Sequence, residues 1–337
     1  MTNPIETISK IPEDDALLFG CVLDGKGGAR VIDWAEALTW KQESPNETLW
    51  LHCDRTIEGM DGWLATRFAM NDETSEVLVS NETRPRSFRE GGSIVAILRG
   101  VNLNDDNDPD DMIAMQIWAT DHYVISLRRR QMRTPRDVLA LLKQGRGPHG
   151  PGDLVTELTE RLIYNLSKRI MVMNERIDAL EAMDGADGDV TAQLAEIAAI
   201  RRSCLAIKRY MSPQYDALVQ IAEKDLDWLN PDHHRRLRET TERLKRYLDD
   251  IDVSKESALV LQDDLNNRAA QETNKTMYIL SIVAAIFLPL GFLTGLLGIN
   301  VGGMPGVDTP IAFWVVVVLL IGVMALQYYL FKKLKWL

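Results

Sequence analysis

Hydrophobic and polar positions change rhythm twice along this chain. Up to about residue 152, apolar residues come in short runs separated by turn signals, which predicts strands. Runs at 17–23 and 29–34 flank Asp24-Gly25-Lys26-Gly27-Gly28, a hairpin signature. Further strands are expected at 48–53, 76–80, 93–102, 112–119 and 123–127. A helix at 57–68 would place Met60, Trp63, Leu64 and Phe68 on one face. The mixture predicts an α/β layer domain with helices on the faces of a central sheet.

From Asp153 the texture is helical. Leu154, Leu158, Leu162, Leu166, Ile170, Met173, Ile177 and Leu180 recur at near-helical spacing until Gly185 and Gly188 break the pattern. A second helix is expected over 190–209, with Pro213 in Tyr210-Met211-Ser212-Pro213-Gln214 marking a kink or a break before the pattern resumes to 229. Asn230-Pro231-Asp232 reads as the cap and first-turn proline of a third helix. Leu237, Leu244, Leu248, Ile251, Leu259 and Leu265 carry that helix forward without a stop signal. Continuous to 297 it would hold about 65 residues and measure roughly 100 Å. A helix so long must pack laterally, against its predecessors or copies of itself, which points to an oligomer.

The third rhythm is almost uninterrupted apolarity. Segments 277–297 (MYILSIVAAIFLPLGFLTGLL) and 311–331 (IAFWVVVVLLIGVMALQYYLF) each have the length that crosses a hydrocarbon core of about 30 Å. From Thr276 to Phe331 the only charged side chain is Asp308, in the connecting loop. The expected division is therefore 1–152, an α/β domain; 153–276, a helical stalk; and 277–337, a transmembrane hairpin. Within the hairpin, spans at 277–297 and 311–331 enclose a loop at 298–310 and precede a basic tail at 332–337. Lys332, Lys333 and Lys335 follow the second span and Arg268 and Lys275 precede the first, while the loop has no Lys or Arg. That bias predicts a multi-pass plasma-membrane protein with both termini cytoplasmic and the loop outside. Trp314, Tyr328, Tyr329 and Trp336 fall near the expected interfaces.

Charge narrows the partners. The net charge of −11, from 49 acidic and 38 basic residues, argues against nucleic acid and suits the attraction of cations. Cys21, Cys53 and Cys204 lie far apart, as expected of reduced, mostly buried thiols. The opening MTNPIETISK has no apolar core of a cleavable signal peptide. The run Asn104-Asp105-Asp106-Asn107-Asp108-Pro109-Asp110-Asp111 lacks the glycine and glutamate of a helix-loop-helix calcium site, so it is expected to be a solvated hairpin tip. His52-Cys53-Asp54 would point to alternate faces of a strand rather than to one metal. His233 and His234, adjacent on a helix, are expected at the surface unless a neighbouring subunit completes a site. Gly25-Lys26-Gly27-Gly28 lacks the spacing of a phosphate loop, and no catalytic constellation is suggested, so neither an enzyme nor a resident cofactor is expected.

After the first span comes Gly298-Ile299-Asn300-Val301-Gly302-Gly303-Met304-Pro305-Gly306. With Asn274-Lys275-Thr276-Met277, Ile286-Phe287-Leu288-Pro289-Leu290 and the tail Lys332-Lys333-Leu334-Lys335-Trp336-Leu337, it resembles the CorA superfamily of divalent-cation transporters. Glu82-Thr83-Arg84-Pro85-Arg86 resembles the weaker cytoplasmic signature of that family. The turn and Lys208-Arg209-Tyr210-Met211-Ser212-Pro213-Gln214 are most similar to the ZntB zinc-transporter branch. Ile299 stands where the magnesium and cobalt transporters have Met. Gly306 replaces an acidic residue often found there, with Asp308 two positions on. The resemblance implies an α+β membrane protein with a CorA-like funnel of five identical subunits. It also implies a pore lined by the first span, and zinc transport coupled to protons.

The residues constrain the mechanism independently. The spans hold no Asp, Glu, His, Lys, Arg or Cys, so nothing at membrane depth could strip zinc of its water. A conducted ion would keep most of its hydration shell and meet neutral oxygens. Asn300, once per subunit, would form an amide ring at the mouth within the Gly298-Ile299-Asn300 turn. Stepping back from Asn300, first by two residues and then alternately by three and four, gives Gly298, Gly295, Gly291, Leu288, Ala284, Ser281, Met277, Asn274, Ala270, Asn267 and Asp263. Met277 and Leu288 would be apolar constrictions, and Asp263 a cytoplasmic carboxylate ring that meets the metal transiently, as Asn300 does. With no titratable group in the spans, proton coupling would fall to Asp308 or Asp263 at the mouths. Each residue has a plainer reading too. Ala284, Gly291 and Gly295 suit close helix packing, Asn274 a register pin, Asp263 a solvated helix face and Asn300 a turn. A magnesium, cobalt or nickel channel, or a membrane-anchored scaffold or sensor, are the alternatives.

Overall fold

The computed structural model describes residues 16–102, 104, 111–183, 189–299, 306 and 309–334. Two compact units divide it, Met1–Leu261 and Gln262–Leu337.

The first unit is built on one seven-stranded sheet. Its strands are β1 (Leu17–Leu23), β2 (Ala29–Ile32), β3 (Thr48–Asp54), β4 (Arg86–Glu90), β5 (Ser93–Val101), β6 (Met112–Ala119) and β7 (Tyr123–Arg128), in the order β2-β1-β3-β7-β6-β5-β4. All neighbours are antiparallel except β3 and β7, which pair in parallel from Leu49↔Tyr123 to Asp54↔Arg128. The β1–β2 turn forms as expected. The Asp24 carboxylate accepts from the amides of Lys26 (2.7 Å) and Gly28 (3.0 Å), while Gly25 and Gly27 take φ of 74° and 93°.

Alternation sends Leu49, Leu51, Cys53, Ile125 and Leu127 to one face, where they meet Trp34, Trp63, Leu64 and Leu78 from α1 (Trp34–Thr39), α2 (Met60–Phe68) and α3 (Asp72–Val79). Packing against the other face are α5 (Pro151–Ala182) and α6 (Val190–Ala222), with α4 (Arg133–Lys143) against α5 and β2. Removing one of these enclosed side chains, such as Leu64 at 0% exposure, costs about 2–5 kcal/mol as Leu→Ala.

Three local expectations are corrected. Residues 76–79 are the end of helix α3, with Ser80 as its cap, not a strand; Thr74, Ser75 and Leu78 are buried at helical spacing, and Asp72 and Glu73 favour the first turn. β4 and α4 were not foreseen. Pro213 neither breaks nor ends α6, which stops at Ala222 rather than near 229. The neighbouring Gln214 explains the continuity: its amide accepts from Arg99 N at 2.5 Å and donates to Arg99 O at 3.0 Å, pinning this turn to β5.

The third long helix, α7 (Pro231–Leu297), runs 67 residues without interruption. Its cap is as predicted, with Asn230 Oδ1 accepting from His233 N at 2.9 Å. The second unit contains the latter part of α7 and α8 (Ala312–Lys333). Both helices contain stretches long and apolar enough to cross a membrane.

Candidate functional site

The residues projected as a stripe lie on one side of α7 in the second unit. Asp263, Asn267, Ala270, Asn274, Met277, Ser281, Ala284, Leu288, Gly291 and Gly295 are all exposed, as are Gly298 and Ile299 just past the helix end. Within 277–297 the half-buried residues are Ile282, Ala285, Ile286, Leu290 and Leu293, on the opposite side at 3.6 residues per turn. That second side faces α8, whose half-buried Val316, Leu320, Val323 and Gln327 recur at coiled-coil spacing. The bulky Phe287 and Phe292, both exposed, flank the stripe, so its centre is small where its margins are large. A Cβ added at Gly291 or Gly295 meets nothing within 4 Å, so no neighbour within the chain requires glycine there.

The backbone of this face is closed by its own helix. Ser281 Oγ donates to Met277 O at 2.8 Å and Thr294 Oγ1 to Leu290 O at 3.0 Å. Gly298 N donates to Thr294 O at 3.0 Å, ending α7 at the position where the sequence motif begins. Asp263 forms no ion pair among the described residues, whereas Asp264 is held by Arg268 at 2.8 Å. Asn300 and Asp308 lie outside the described residues, so the Gly298-Ile299-Asn300 turn is seen only through its first two members.

One polar group in the second span was missed by the sequence reading. Pro289 has no amide hydrogen, which leaves Ala285 O without its helical donor. Gln327 Nε2 of α8 donates to that oxygen at 3.4 Å. Side chains that reach across in this way are how membrane helices tolerate proline.

The other metal candidates are structural. His52 is buried, its Nδ1 2.9 Å from Ser126 Oγ, which also accepts from Trp50 Nε1 at 2.9 Å. Burial, then the charge of Arg128, pushes its pKa down to about 3, so the ring is neutral. Burial pushes the thiols of Cys21 and Cys53 up to about 12. His233 is not on the surface as expected. It is 8% exposed and stands 3.3 Å from Asp153, which with Glu157 and Glu160 also holds Arg236. Among the described residues no three His, Cys, Asp or Glu side chains gather to hold a metal ion.

Residues 45–333 match the family described as CorA-like Mg2+ transporter protein. The chain is 35% identical to the divalent cation transporter CmaX of Pseudomonas aeruginosa, over 96% of its own length and 98% of that protein's. It is 34% identical to the zinc transport protein ZntB of Pectobacterium atrosepticum, over 94% of each. The structure of full-length CmaX superposes with a TM-score of 0.85 at 34% identity, covering 96% of this chain and 99% of the other. The CorA magnesium transporter of Methanocaldococcus jannaschii shares the fold, with a TM-score of 0.78 at 16% identity over 95% and 99%.

Proposed function

The chain belongs to the CorA-like family of transporters and is a divalent-cation transporter, not an enzyme; we propose on that premise that its principal ion is zinc. The ion passes, largely hydrated, through a pore lined by the first span of a homopentamer in the inner membrane. Both termini lie in the cytoplasm. The 34% identity with a zinc transport protein supports the choice of ion, as does Ile299 in the position where magnesium and cobalt transporters carry Met.

One observation carries the mechanism: the side of α7 turned away from α8 is a narrow lane of small and neutral residues, open in the single chain. Around a symmetry axis this lane offers Ser281, Asn274 and Asn300 oxygens but no ligand that replaces the water of a divalent ion. Met277 and Leu288 form apolar constrictions, and Asp263, without an ion pair among the described residues, gathers cations at the cytoplasmic end. Proton coupling, with no titratable group in the spans, runs through Asp308 and Asp263.

Purified protein in liposomes containing a zinc-sensitive dye tests this. Zinc influx should be lost in Asn300→Ala, compete weakly with magnesium and respond to an imposed pH gradient. Equal zinc flux in Asn300→Ala removes the pore reading. Magnesium, cobalt or nickel flux exceeding that of zinc transfers the assignment to the alternative ions. A scrambled 298–303 turn that leaves cellular function intact would make the hairpin a mere anchor for a scaffold or sensor.

A further inference from the structure

Arginines converge where three strands of the sheet run out. β3, β7 and β5 all point the same way, because β3 and β7 are parallel and β6 is antiparallel to both β7 and β5. Arg55 follows β3, Arg129 and Arg130 follow β7, and Arg99 sits near the end of β5. Together with Thr83, Asn81, Asp111 and the start of β6 they line a cavity of about 320 Å³.

The cavity is strongly positive in a chain of net charge −11. Among the described residues that line it, four guanidiniums face one carboxylate, Asp111, which pairs with Arg130. The charges are built in rather than scattered on a surface. Arg55 is only 8% exposed and is anchored by Nη1 to the carbonyls of Val79 (2.8 Å) and Ser80 (2.9 Å), while its buried Nε has no partner. Arg99 is fixed by Thr83 O (3.0 Å) and Met112 O (2.6 Å) and lies over the Tyr210 ring at 3.9 Å. Thr83 belongs to Glu82-Thr83-Arg84-Pro85-Arg86, so the stretch singled out in the sequence forms a wall of this cavity. Burial, then the neighbouring Arg129, lowers the Arg55 pKa, against the opposing charge of Asp54.

We propose that this cavity binds a soluble, multiply charged phosphate anion, held by Arg55, Arg99, Arg129 and Arg130. Planar guanidiniums suit phosphate oxygens. The site lies within the first unit.

Calorimetry with pyrophosphate on the full-length protein in detergent, in metal-free buffer, tests it. Binding should weaken as chloride is raised. The exposed Arg129→Ala and Arg130→Ala should each weaken it about tenfold by removing a charge-assisted contact. Asp111→Asn, which removes the repelling carboxylate, should tighten it. No binding by the wild type, or wild-type affinity in both arginine variants, overturns the proposal. So does binding that appears only after Asp105, Asp106, Asp108 and Asp110 are changed to Asn, since the chain's own acids would then be the occupant.

Discussion

Replacing Gln327 with leucine should loosen the membrane hairpin, and only while Pro289 is present. Pro289 leaves the Ala285 carbonyl unpaired by its own helix, and the Gln327 amide reaches it at 3.4 Å. Hydrogen bonds between membrane helices average about 0.6 kcal/mol and reach about 1.7. A buried acceptor left without a donor costs about 1–3 kcal/mol. Gln327→Leu removes the donor and strands the acceptor, so a loss of about 1–2 kcal/mol follows from those two terms. Pro289→Ala supplies an amide at position 289 and restores the helical bond to Ala285 O. In that background Gln327→Leu should cost close to nothing, giving a coupling energy about as large as the single effect. Reversible unfolding of the full-length protein in mixed micelles, followed by circular dichroism for the four proteins of the cycle, measures it. An equal cost of Gln327→Leu in both backgrounds, or none in the wild type, would refute the pairing.

Other consequences are simpler to read. Gly152→Ala should destabilise the first unit by about 1–3 kcal/mol in thermal melts, because a Cβ there would stand 2.3 Å from His233 Nδ1 and 2.8 Å from Trp228 O. His52 is held neutral with its pKa near 3, below its ordinary value, so below about pH 6.5 the unfolded chain takes up a proton that the native chain refuses. Stability should therefore decline from pH 6.5 downward, and His52→Asn should remove that slope from pH-dependent melts. The Asp153 carboxyl, lowered to about 2 chiefly by its hydrogen bond to His233, adds stability above about pH 4 that is lost as pH falls toward 2. Asp153→Asn should abolish that steeper acid limb. Cys21 and Cys53, buried with their pKa pushed up to about 12, should resist maleimide in the native protein and react once denaturant is added.

What the amino-acid pattern disclosed depends on how local each cause was. The strands at 93–101 and 112–119 were legible because two-sided burial writes them as apolar runs bounded by turns, and each needs only its own residues to be recognised. The helix at Asp72–Val79 was not, since Glu76-Val77-Leu78-Val79-Ser80 has the apolar cluster of a strand. Its burial at 74, 75 and 78 appears only when the preceding residues are included. β4 reads Arg-Ser-Phe-Arg-Glu, too polar to look like a strand, and owes its place to pairing with β5. The unbroken α6 likewise depends on a contact with Arg99, more than a hundred residues earlier in the chain.

The same distinction runs through the functional surfaces. The lane on α7 is a helical stripe, so a three-and-four count from one asparagine was enough to lay it out. That count could not say which side of the helix α8 would take, and this is what leaves the lane open. Gln327 lies in a window whose mean hydropathy hides one amide, and its meaning comes from Pro289, thirty-eight positions away in sequence and one helix away in space. The arginine cavity is more dispersed still: Arg55, Arg99 and Arg129 come from three separate stretches, and only the parallel alignment of β3 with β7 brings their ends together. A periodic face is readable from sequence because one element repeats it. A convergent site is not, because its members share nothing until the sheet has chosen its strand order.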